Sequence, residues 1–211
     1  MRSRLSAAGL MWMFAVQFFV AQIVVQAAWT TPFSLANNYV SDLGNTACGN
    51  YRTGVAAYVC SPWHAVMNAS FLLQGVIIIV GTLLVAPFVR GKTAKHIVLS
   101  LLILTAVGMI GVGAFPENIN NDAHVYSAAI QFVTGNLALI VVGFTRIMPG
   151  TELRYSLFSI VLGILGLMAT ALFPTGNDFG LGTGGMERVA AYTFPMWLIW
   201  TGSRLLLSSR K

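Results

Sequence analysis

Apolar residues fall in six long blocks along the chain, at about 7–29, 64–88, 96–115, 124–145, 156–173 and 186–208. Polar residues gather in the stretches between them. Crossing about 30 Å of hydrocarbon takes a helix of about twenty residues, and each block is close to that or longer. A backbone in lipid must satisfy its own N–H and C=O groups, so each block reads as a helix. The fifth block is the shortest but holds no charge, and the sixth contains Pro195, which predicts a kink. The pattern therefore predicts an all-α integral membrane fold, with six transmembrane helices in one bundle and residues 1–211 as a single transmembrane domain. The longest break, residues 30–63, is a loop.

Arg2 and Arg4 ahead of the first block could also introduce a signal peptide. A signal core runs to about 7–15 residues, whereas this block continues to Trp29 without a convincing small-residue cleavage site, so it reads as an uncleaved first span.

Inside the blocks, two pairs look alike. HAVMNASFLLQG from His64 and HVYSAAIQFVTG from His124 open the second and fourth spans. Helical spacing puts His64, Asn68, Phe71 and Gly75 on one face, and His124, Ser127, Gln131 and Gly135 on another. The third and fifth spans end in GVGAFPENINND and ATALFPTGNDFG. The pattern suggests a helical hairpin used twice in the same orientation. Small and amide-bearing residues on such faces also serve plain helix packing.

Composition sharpens this picture. Hydrophobic residues make up 56% of the chain and charged residues 9%, against roughly a quarter charged in soluble domains. With the N-terminus placed inside, ten of the twelve Lys and Arg fall in cytoplasmic segments, leaving only Arg52 and Arg188 outside. That asymmetry predicts cytoplasmic termini in a cell membrane. The net charge of +6 is thus a topology signal, and no basic patch on a water-exposed fold suggests a nucleic-acid partner. Cys48 and Cys60 share the 30–63 loop, which is predicted to face an oxidising compartment, so they are expected to pair as a disulfide.

Candidate chemistry collects at the predicted outer end. Asp42 lies in the first loop, His64 and His124 head two spans, Glu117 and Asp122 occupy the second outer loop, Asp178 the third, and Glu187 with Arg188 opens the sixth span. Turns and helix ends account for some of these, since acids suit helix N-termini and Asn and Asp favour turns. Two histidines, several carboxylates and an arginine exceed those needs. Asp42, His64, Glu117, Asp122, His124, Glu187 and Arg188 are the candidate ligand-binding residues, with Asn68, Ser127 and Gln131 behind them.

The pieces NNYVSDLG, FPEN followed by His124, and GGMERVAAYTFPMWLIW resemble the bacterial and archaeal six-span membrane family known as domain of unknown function 998. The resemblance implies a six-helix membrane fold with recurring positions at Ser41 to Gly44, Phe115 to Glu117, His124, and Glu187 with Arg188. It implies no general activity. Where the family often has a second acid after Phe-Pro-acid, this chain has Asn118.

The leading functional expectation is binding of a lipid headgroup or small amphiphile at the outward mouth, in a transport or lipid-handling role, with Arg188 pairing an anionic group. No span carries a charge near mid-membrane, which disfavours an ion-coupled pump. Two other readings stand beside it. One is a metal-assisted intramembrane lipid hydrolase, for which His64, His124 and Glu117 would be the ligands. The other is a non-catalytic subunit or assembly factor, acting with other membrane subunits or a second copy of itself. No cofactor is predicted; zinc, or haem between His64 and His124, are the alternatives.

Overall fold

The computed structural model describes residues 2–50, 58–149 and 152–209. Seven helices follow in order: α1 (Arg2–Met13), α2 (Val16–Ala27), α3 (His64–Val85), α4 (Thr93–Ala114), α5 (Asn121–Thr145), α6 (Leu153–Leu172) and α7 (Gly182–Ser209). The first expected span is a broken one. At Phe14 and Ala15 the winding tightens, with the N–H groups of Ala15, Gln17 and Phe18 donating to the carbonyls of Trp12, Phe14 and Ala15, the bonding of a short 3₁₀ stretch. The indole of Trp12 sits beside this step against Gly81 of α3, where a Cβ would overlap the ring.

Among the described residues, five segments are long and apolar enough to cross a membrane: α1 with α2, α3, α4, α5, and α6 with its 3₁₀ extension. The sixth expected span falls on α7, a helix that at 28 residues is longer than the others but is not one of those five. It is less apolar than they are because it carries Glu187, Arg188 and Arg204. Pro195 lies inside α7 and does not end it. α5 begins at Asn121, earlier than expected, because the Asn120 side chain accepts from the N–H of Ala123 at 3.1 Å and caps the new helix.

Neighbours in sequence are neighbours in space, as short connections between antiparallel helices require. α3 packs on α4, α4 on α5, α5 on α6 and α6 on α7; α7 then closes the ring against α1. That seam depends on two glycines. A Cβ on Gly9 would stand 2.8 Å from the Gly202 carbonyl oxygen, and one on Gly202 would stand 2.6 Å from that of Gly9. The two hairpins of the suggested repeat, α3–α4 and α5–α6, both form. Their matching glycines do different work: Gly75 packs on Ala106 and Ile110 of α4, whereas Gly135 meets Phe194 of α7 and Thr105 of α4.

The core centres on α7. Trp197 is fully buried, stands 5.7 Å from Trp12 and 6.0 Å from Phe194 between ring centroids, and donates its indole N–H to Ser159 at 2.9 Å. That bond satisfies the polar edge of a ring otherwise packed in apolar surroundings.

Up-and-down connectivity sorts the charges to two ends. Arg2, Arg4, Arg90, Lys92, Lys95, Arg146, Arg154 and Arg204 share the end where α1 begins and α7 finishes. The opposite end carries the 30–63 loop and is called the loop end below. Arg52, Arg210 and Lys211, which also entered the charge count, lie outside the described residues. In the loop, Cys48 and Cys60 are disulfide-bonded and flank a small antiparallel ladder of β1 (Gly49–Asn50) and β2 (Tyr58–Val59).

Candidate functional site

The 30–63 loop folds down onto the bundle, and two consecutive residues of α7 hold it there. Glu187, 7% exposed, accepts from the backbone N–H of Val40 and, at 3.4 Å, from that of Ser41. Arg188 works on the carbonyl side of the same segment. Its Nη1 donates to Leu35 at 3.0 Å, Asn38 at 2.6 Å and Gly184 of its own helix at 2.8 Å, while the guanidinium lies 5.7 Å from the Phe33 ring centroid. Asp42 tightens the segment from within. It is fully buried and accepts from the Tyr39 N–H at 2.8 Å and the Asn38 amide at 3.2 Å.

Other bonds fasten the loop further along. Asn68 of α3 donates to the Gly44 carbonyl at 2.9 Å, Ser61 to that of Leu43 at 2.7 Å, and Asn118 exchanges two 3.0 Å bonds with Thr46. A loop so fastened presents its residues as fixed walls.

Against those walls lies a pocket of about 240 Å³ between the loop, α5, the end of α6 and α7. Tyr39, Val125, Ala129, Phe132, Phe173 and Pro174 give it a mostly apolar lining. Its polar groups are concentrated in Ser41, Glu117, His124 and Glu187. Ser41 joins the carboxylates, donating its hydroxyl to Glu117 at 2.9 Å and its N–H to Glu187. The charge on Arg188 bears on Glu187 from the far flank of α7, and those on Asp42 and Glu117 bear on it less strongly. His124 is 6% exposed, and its Nδ1 stands 2.8 Å from the Phe115 carbonyl. A carbonyl can only accept, so Nδ1 carries a proton, and in the neutral ring Nε2 is the single acceptor left. Among the described residues no Lys or Arg lines this pocket.

The sequence candidates thus divide. Glu117, His124 and Glu187 share the pocket. Arg188 faces the other flank of α7, along a groove with Gln22, Leu35 and Tyr192. His64 stands away from both, half-buried at the start of α3 with Nδ1 3.1 Å from the Ser61 carbonyl. Asp122 is exposed in the first turn of α5, and Asp178 turns back on its own loop to accept from the Gly180 N–H at 2.9 Å. Asn68 ties the loop, as above, and Ser127 packs against Gly111 of α4. Gln131 is buried behind His124 in a second, smaller cavity. Among the described residues, no three His, Cys, Asp or Glu side chains are placed to hold a metal ion, so His64, His124 and Glu117 do not come together as a ligand set. Ser41 was not among the candidates; its place in NNYVSDLG beside Asp42 was the available signal.

Residues 8–204 match the family described as Protein of unknown function (DUF998), and the chain belongs to that family. No curated protein and no solved structure matches it.

Proposed function

We propose that this member of the DUF998 family binds an amphiphile whose headgroup is cationic or rich in hydrogen-bond donors. The headgroup sits against Glu117, Ser41 and Glu187, and the apolar part lies between α5 and α6. One observation carries the reading: Glu187, which the Val40 and Ser41 N–H groups leave with lone pairs to spare, faces a mostly apolar pocket whose described lining residues include no Lys or Arg. Carboxylates so placed gain most from a donor or a positive charge, because charge-assisted bonds are about twice as strong as neutral ones. An anionic headgroup there would meet like charge. The volume, about 240 Å³, is just below the common range for small-molecule pockets and suits a headgroup with the first part of a chain. The pocket's place at the loop end, taken with the basic residues at the other end, supports an extracytoplasmic mouth.

Dodecylamine and dodecanoate, added at matched low concentration to the full chain in nanodiscs, test the reading. They share an apolar tail and differ in headgroup charge. Dodecylammonium is expected to raise the melting temperature and to be retained in native mass spectrometry. Glu187→Gln or Glu117→Gln should weaken that retention about tenfold, the loss of one charge-assisted bond. Equal effects of the amine and the carboxylate, or amine binding indifferent to both substitutions, would remove the basis of the proposal.

A further inference from the structure

Towards the bundle interior, a cavity of about 20 Å³ adjoins the ligand pocket. The two share Ser41, His124, Ala128, Phe132 and Glu187 as walls. Phe71 of α3 and Met109 of α4 close the inner one from the far side. Holding a water takes about 10–15 Å³ of such space, so this cavity has room for one water and for nothing larger.

Its polar lining matches that occupant. Gln131 is 2% exposed, lines the cavity, and its Nε2 has no hydrogen-bond partner among the described residues. An unpaired buried amide donor gives up the hydrogen bond that it makes with water in the unfolded chain. His124 offers Nε2 as an acceptor, since its Nδ1 is committed to Phe115. Glu187 offers the lone pairs that the Val40 and Ser41 N–H groups leave over. A carboxylate has about four acceptor positions, so two remain.

We propose that the inner cavity is a specific site for one structural water, which accepts from Gln131 and donates to His124 and Glu187. Three bonds are the usual complement of a buried water. Those three bonds fix the Gln131 amide with its NH₂ towards the water, because a water has two hydrogens and both go to His124 and Glu187. The site links α5 to α7 beneath the ligand pocket. It also places a hydrogen-bond relay between a headgroup at Glu187 and the centre of the bundle.

The water site does not depend on the ligand reading, and its test uses the full chain with no amphiphile added. Gln131→Met nearly preserves shape while removing the amide. If the cavity is dry, the substitution removes an unpaired polar group and the melting temperature holds or rises. If a water is bound, the substitution strips it of a partner, and the melting temperature falls by about 2–4 °C, the shift for about 1 kcal/mol at this size. Nuclear magnetic resonance of the unsubstituted protein in micelles supplies the second reading, a cross-peak between the Gln131 side-chain amide and a long-lived water. A fall accompanied by the cross-peak supports the site. A melting temperature that holds or rises overturns it, and so does a missing cross-peak, whatever Gln131→Met does.

Discussion

Glu187 and Arg188 are adjacent in the chain and meet the same loop segment, yet they end in opposite situations. Successive residues of a helix point about 100° apart, and that angle sends one side chain to each flank of α7. Glu187 grips the loop by its N–H groups and keeps lone pairs facing a pocket. Arg188 grips it by two of its carbonyls, with the same Nη1 also donating to Gly184 of its own helix. The difference shows why charge type alone does not locate a binding site. The residue with capacity to spare after its structural bonds faces the larger carboxylate-lined pocket, whereas the arginine's visible work is to hold backbone.

Removing the clamp should have the largest effect. Arg188→Met leaves carbonyls of the 35–38 segment without their charged donor, and unfolding of the purified chain is expected to show a loss of about 3 kcal/mol with faster proteolysis of the loop. A loss under about 0.5 kcal/mol would put Arg188 on the same footing as an ordinary surface residue. Replacing both Cys48 and Cys60 by Ser should cost about 2–3 kcal/mol in chemical denaturation, by freeing the unfolded loop, while leaving amine affinity near that of the parent. That pairing of results would separate the loop's covalent tether from the α7 clamp. Glu187→Gln comes next, at about 1–2 kcal/mol, because the amide keeps a single acceptor oxygen for two N–H groups. It should lose more binding than stability, the reverse of Arg188→Met. Smallest of all, Asp122→Asn and Asp178→Asn should change stability by about 0.5 kcal/mol or less and leave amine retention alone.

Much of the fold was legible because the bilayer imposes one rule on every span. Apolar length located all six helical segments, and the charges flanking Ala86–Phe88 and Arg146–Ile147 marked the end opposite the loop. The break at Phe14–Ala15 was not legible, since no Pro or Gly marks it and the Trp12 beside it packs on a helix distant in sequence. The matching starts of α3 and α5 predicted equivalent faces. Their glycines meet different partners because α3 lies near the seam of the ring while α5 lies opposite it. Sequence also gathered the candidate residues at one end of the bundle without sorting them. Glu117, His124 and Glu187 could be told from His64, Asp122, Asp178 and Arg188 only once rotation about each helix axis was known. Ser41 was hidden for a related reason, because its role depends on a loop that folds back over the helices.

The glycine seam has a consequence for biogenesis. Every other contact around the ring joins helices that leave the ribosome one after the other, whereas Gly9 must wait for Gly202. The first helix therefore enters the membrane with one flank unmatched and keeps it so until α7 has been made. Sealing that flank is the last event of assembly, and a Gly9→Val chain should insert all its helices yet remain an open arc, exposed to quality-control proteases along α1 and α7.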